Sequence, residues 1–198
     1  IITSGHSKYR NRHNINYEQY KKLKKRATLP LVISVSDKTS ARNVKYKNNI
    51  AQRFIELIGG DEGTIKTENT FIEDGRNISK DDIHSNRNVC ILGNDILNRL
   101  FPFENPINKT IQIRGLDYIV IGIAEKKGQA FGASQDNFII IPISNYLQNF
   151  SNKWTSLVIS VESSSEKLYN KTRDEVIGLL RTIRKISPIE ENDFEIIS

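Results

Sequence analysis

Methionine is absent from the 198 residues, and cysteine and tryptophan occur once each. Without methionine the chain reads as a fragment or a processed product, not a whole translated protein with its initiator in place. A single cysteine, Cys90, excludes an internal disulfide framework and a cysteine-based zinc site. It lies in the apolar run VCILG, where a small buried thiol fits better than a nucleophile. An extracytoplasmic location stays open, because a chain of this length buries roughly 70% of its extended surface and needs no covalent staples. No apolar run approaches the roughly 20 residues that cross a bilayer, and the start lacks a signal-peptide pattern.

The machinery of common chemistries is missing as well. GGDEG, residues 59 to 63, lacks the Lys-Ser/Thr of a Walker A loop, so the chain itself is not expected to hydrolyse ATP. His6, His13 and His84 have no partner four residues away and no carboxylate at ligand spacing, so no metal is assigned. There is no Gly-x-Ser-x-Gly elbow, and the acid pairs Asp81/Asp82 and Glu190/Glu191 sit where capping or turn formation explains them. Asn-x-Ser/Thr occurs at Asn77, Asn108, Asn149 and Asn170, which chance explains in a chain this rich in asparagine. No catalytic residue and no cofactor is expected.

What is present begins with a lopsided charge. Residues 1 to 50 hold twelve Lys and Arg against Glu18 and Asp37, a local +10, while the whole chain carries +6, leaving −4 for the remainder. YKKLKKRA, residues 20 to 27, reads as the end of an amphipathic helix. A solvated helix face suits it best, anionic lipid or an acidic partner next, and nucleic acid least.

Asn16 and Gln19 form a capping box for a helix running to about Ala27, which Pro30 ends. LVISVSDK then reads as a strand, and ARNVKYKNN and AQRFIELIGG as further strands, the latter equally readable as a short helix. At the other end SLVISVES is a strand, and Ser163 with Glu166 reads as a second capping box. The helix after it runs to about Ile186 with a stripe of Val176, Leu179, Leu180 and Ile183, and DFEII supplies a last strand. The middle is β-rich: NVCIL, a short helix NDILNRLF, TIQIRG and YIVIGIAEKKG joined by a hairpin at Gly115 to Asp117, then NFIIIPI. The fold class expected is α+β, with an α/β subdomain built from both chain ends, residues 1–74 and 151–198, around a β-rich insert of residues 75–150.

EKKGQAFGASQDNF, residues 125 to 138, is the segment folding explains least. Gly128 and Gly132 flank Gln129 and Phe131 between two strong strands. Either this is an ordinary hairpin loop whose Phe131 folds back, or Gly128, Gln129, Phe131 and Gly132 present a contact to a partner.

IEDGRNISKDD, VCILGNDILNRLF, NPINKTIQIRGLDYIVIGIAEKKGQAFG and DNFIIIPI, in this order, resemble the successive signatures of the MacB-type periplasmic core domain. The likeness is strong over residues 70 to 143 and looser toward both ends. It departs from the family pattern at Asn108, where a glycine is usual after Pro106-Ile107, and at Asn77-Ile78, where an aromatic is usual. Asn108 tolerates the left-handed backbone that such a turn requires. By this resemblance Gly75, Arg76, Gly93, Leu100, Phe101, Pro106, Gly122 and Pro142 are scaffold positions, the glycines as backbone hinges and Leu100-Phe101 as an anchored helix end.

The resemblance implies the extracytoplasmic, periplasmic domain of an ABC-transporter permease in the inner membrane of a bacterium. The chain-end portion would be a Porter-like subdomain and the insert a Sabre-like one. Ile1 and Ser198 would be cut points beside two membrane helices. A cytoplasmic ABC ATPase would drive the domain through those helices, as part of a homodimer or heterodimer, toward a periplasmic adaptor or carrier protein in export, efflux or lipoprotein release. The domain itself would bind and move without catalysis. The rivals are a stand-alone extracytoplasmic ligand-binding or sensor module and, behind it, a small hydrolase.

Overall fold

The computed structural model describes residues 1–3, 13–51, 54–130 and 132–197. In chain order the elements are β1 (Ile2–Thr3), α1 (Tyr17–Arg26), β2 (Pro30–Ala41), β3 (Val44–Tyr46), β4 (Asn49–Ala51), β5 (Ile55–Gly60) and α2 (Thr64–Thr67). There follow β6 (Ile72–Gly75), α3 (Lys80–His84), β7 (Val89–Leu92), α4 (Asn94–Leu100), β8 (Thr110–Ile113) and β9 (Leu116–Ala124). The small strands β10 (Gln129–Ala130) and β11 (Ala133–Ser134) precede β12 (Phe138–Pro142) and α5 (Ile143–Asn149). The chain ends with β13 (Val158–Ser163), a 3-10 turn (Glu166–Leu168), α6 (Tyr169–Arg184) and β14 (Glu195–Ile196).

By backbone packing the chain divides into two units, residues 1–37 with 152–198, and residues 38–151. Both mix helices with sheet, so the fold is α+β. The sequence expectation placed residues 38–74 with the chain ends. The structure places them in the second unit, where β5 pairs in parallel with β12, Ile58 beside Ile140, a long-range pairing that no local pattern announces.

In the first unit β14, β1, β13 and β2 lie side by side and antiparallel. The Asn16 side chain accepts from the Gln19 N–H at 3.0 Å and the Gln19 side chain accepts from the Asn16 N–H at 3.2 Å, the reciprocal box that satisfies two otherwise orphaned donors. Tyr20 and Leu23 of α1 and Val176 and Leu180 of α6 are buried with Ile33, Val35 and Ile159. Arg184 closes the helix ends: its guanidinium meets Asp193 at 2.6 Å and Gln19 at 2.7 Å with its side chain only 1% exposed. The expected Ser163/Glu166 box does not form. Ser163 is the last residue of β13, opposite Pro30, and its hydroxyl goes to the Ser165 carbonyl and to Thr172, so the helix is entered through a 3-10 turn.

In the second unit the order is β5, β12, β7, β9, β8, β3, β4, with β6 on the free half of β9. Ile58, Ile91, Ile121, Phe138 and Ile140 form its central cluster with Ile65, Ile78 and Val89. The β8–β9 hairpin turns at Arg114-Gly115, one residue earlier than Gly115 to Asp117. Ile113 faces Leu116, and the two loop residues take φ of 49° and 85°, as a two-residue turn matched to strand twist demands. Asn108 has φ 63°, the left-handed backbone expected of it. Helices α2, α3 and α5 were absent from the sequence reading, α5 because NFIIIPI reads as strand and gives no sign of a helix at Ile143.

Candidate partner-contact site

The loop between β9 and β12 is built from its base upward. Asp136 is buried, and its two carboxylate oxygens accept from the Lys127 and Gly128 N–H groups, both at 2.8 Å. Gln135 N–H donates to the Gly128 carbonyl at 3.0 Å, and above this clasp β10 and β11 pair as a miniature hairpin. Gly128 at φ +85° and Gly132 at φ +79° supply the left-handed corners, and a Cβ at either would meet nothing within 4 Å. Gln129 and Gly132 are exposed and Gly128 is half-buried. Phe131 lies outside the described residues.

The next residue ties the loop to the sheet. Asn137 donates to the Phe54 carbonyl at 2.6 Å and accepts from Arg99 at 3.0 Å, while its own carbonyl accepts from the Glu56 N–H at 3.1 Å. Phe54 stands 61% exposed beneath the Arg42 guanidinium, 3.8 Å from the ring centroid. A cavity of about 540 Å³ opens here, lined in part by Lys38, Phe54, Glu56, Gln135 and Asn137. Lys38 reaches Glu68 at 3.0 Å and Glu56 at 3.6 Å; burial disfavours its ammonium, but these carboxylates more than reverse that and hold its pKa above the usual value. Asp136, Asn137, Phe54 and Arg42 were not singled out from sequence. A run of short polar residues ahead of a strand, SQDN, is the signal that could have found the clasp.

The scaffold positions lie elsewhere in the same unit. Arg76 donates to both Asp82 oxygens, at 2.6 and 3.1 Å, and the Ser79 N–H and hydroxyl donate to the same carboxylate at 2.9 and 2.8 Å. Burial would raise the Asp82 pKa, but the Arg76 guanidinium and the Ser79 donors outweigh it and bring it down to about 2. Ser79 and Asp82 also cap α3 reciprocally. Gly75, Gly93 and Gly122 are crossing points of backbone: an added Cβ would stand 2.3 Å from the Ile121 carbonyl oxygen, 2.3 Å from that of Asp136 and 2.5 Å from that of Arg76. Leu100 and Phe101 are buried, Phe101 against the Tyr46 ring at 4.1 Å, and Pro106 and Pro142 are buried too.

Among the described residues no group of three His, Cys, Asp or Glu could hold a metal ion. His13 and His84 are exposed, and His6 lies outside the described residues. Cys90 is fully buried and burial pushes its thiol far up, away from thiolate reactivity. No helix among the described residues is long and apolar enough to cross a membrane.

The fold is shared with solved domains of two transporters. The periplasmic region of MacB from Actinobacillus actinomycetemcomitans superposes with a TM-score of 0.78 at 19% identity, covering 99% of this chain and 86% of that one. The extracellular domain of the ABC-type transporter YknZ from Gram-positive bacteria gives 0.73 at 18% identity, covering 93% and 90%.

The chain belongs to the MacB-like periplasmic core domain family, whose model matches residues 1–177. The macrolide export ATP-binding/permease protein MacB of Chlorobium phaeobacteroides is 31% identical over 154 residues, 78% of this chain and 22% of that protein. Its counterpart in Chlorobaculum tepidum is 26% identical over 160 residues, 81% of this chain. The chain thus spans under a quarter of the length of these relatives, 22% and 24%.

Proposed function

We propose that this chain is the extracytoplasmic domain of an ABC permease, and that it transmits movement driven by ATP hydrolysis elsewhere to an outer partner without catalysing a reaction itself. The family match over residues 1–177 carries this reading. The chain ends support it: the Ile1 amino group donates to the Ile197 carbonyl at 2.8 Å, so two membrane segments joined there would leave the first unit side by side. The Porter-like and Sabre-like subdomains correspond in this reading to the first and second units. Partners are a cytoplasmic ABC ATPase acting through membrane helices, a second permease subunit, and an outer adaptor or carrier protein. The clasped loop with Gly128, Gln129, Phe131 and Gly132 is the contact offered to that outer protein. It combines a base clasped by Asp136 with exposed Gln129 and Gly132, so little ordering entropy is lost on docking.

The test uses the full-length permease with its ATPase in proteoliposomes. Deleting residues 129–134 and closing the gap with two glycines is expected to abolish partner-dependent export while leaving basal ATP hydrolysis unchanged. Unchanged export in that variant would remove the loop from the mechanism.

A further inference from the structure

Helix α1 breaks a local rule. Lys21, Lys22, Lys25 and Arg26 are all exposed and share the face opposite the buried Tyr20 and Leu23. Lys21 is held by Glu18 at 2.6 Å, but Lys22, Lys25 and Arg26 make no ion pair with a described residue. Lys21 and Lys25, and Lys22 and Arg26, are like charges four residues apart, an arrangement that destabilises a helix and that the favourable helix dipole only partly offsets. Folding gives no reason to stack cations this way, and such departures mark functional surfaces.

The topology of the first unit shows what shares that end. In β13 Ser163 stands opposite Pro30, so Leu31, 54% exposed, follows directly on the loop that leaves Arg26. Ile2 pairs with Ile159 and with Ile196, both antiparallel, so the backbone before Ile1 and the backbone after Ile197 run toward this same Ser163 end. Glu175 accepts from the Thr28 and Leu29 N–H groups, both at 3.0 Å, which fixes the cationic end of α1 beside the first half of α6. That half of α6 also lines a crevice with Ile1 and Ile197, and Tyr169 at its start is 40% exposed. Unpaired cations, exposed aliphatic side chains and a tyrosine therefore gather where both chain ends point.

We infer that this end of the first unit is a docking surface for anionic phospholipid head groups. The cations match the charge of such a surface, while Leu31 and Tyr169 match its boundary with the acyl region. An acidic polypeptide would use the cations but has no need of the apolar rim. The inference rests on the permease reading for its orientation, since membrane segments joined at Ile1 and Ile197 would turn this end toward the bilayer.

The test is co-sedimentation of this chain with vesicles of phosphatidylcholine alone and with vesicles containing about a third phosphatidylglycerol. Binding is expected to be at least about tenfold stronger to the anionic vesicles, to fall steeply with added salt, and to drop by about tenfold or more in K22E/K25E/R26E. The milder K22Q/K25Q/R26Q serves if circular dichroism shows the first variant misfolded. L31S should weaken binding without changing its salt dependence. Equal binding to both vesicle types, a variant that binds like the parent, or capture by polyglutamate with no vesicle binding would each overturn the inference. None of these results bears on the permease reading, which fails or stands on the coding sequence flanking this chain.

Discussion

Replacing Asp82 with Asn removes a charge that Arg76 and Ser79 were arranged to receive. Because Arg76 is 47% exposed and regains water, the expected cost is about 2 kcal/mol, less than for a fully enclosed pair. The folded pKa of about 2 lies below the ordinary value near 4. Its contribution is therefore complete above about pH 4 and is lost as pH falls through about 2. Urea unfolding over that range should show a shallower loss of stability for Asp82→Asn than for the parent. Gly93→Ala and Gly132→Ala make a second comparison. The first drives a Cβ to 2.3 Å of the Asp136 carbonyl and should cost about 2 to 4 kcal/mol; the second meets open space at φ +79° and should cost about 1 kcal/mol. Equal costs at the two glycines would contradict the assignment of Gly93 as a crossing point. The sequence suggested that these glycines mattered, but only the structure separates those packed against backbone from those that merely turn it.

Two identical-looking capping patterns came out differently at the scale of the element. Asn16/Gln19 forms its box because Asn16 is extended and outside any strand, which leaves its side chain and N–H to the helix; Ser163/Glu166 does not, because strand pairing with Pro30 holds Ser163 in β13. Asn16→Ala should therefore cost about 1 kcal/mol in thermal unfolding, and Ser163→Ala markedly less. The working box at Ser79 and Asp82 escaped notice because its third position is Asp instead of Glu. The longer strands and helices were legible from their periodicity; α2 and α3, of four and five residues, were not, since about one turn leaves no period to read, and α5 was hidden behind the strand-like NFIIIPI. The candidate loop was legible as a loop but not as a built one. Its stiffness comes from the buried Asp136 carboxylate, so Asp136→Ala should speed amide hydrogen exchange at Lys127 and Gly128 far more than in β12. Unchanged exchange there would mean that the hairpin holds itself.

On the scale of the whole molecule, an ordered set of motifs over residues 70 to 143 disclosed the family, while the division between units did not follow from local sequence. β5 joins the second unit through a partner some eighty positions away in the chain, and contact between distant segments is what composition and periodicity leave unwritten. The central claim is that this domain is anchored in a membrane at both ends and driven by an ATPase. Sequencing the coding DNA on either side tests it most directly. The account predicts an apolar stretch of about 20 residues shortly before Ile1, further such stretches after Ser198, and a Walker-motif ATPase in the same protein or beside it. A cleavable signal peptide ahead of Ile1 together with a stop codon after Ser198 would contradict it, and would make the chain a free secreted module whose action lies in ligand binding.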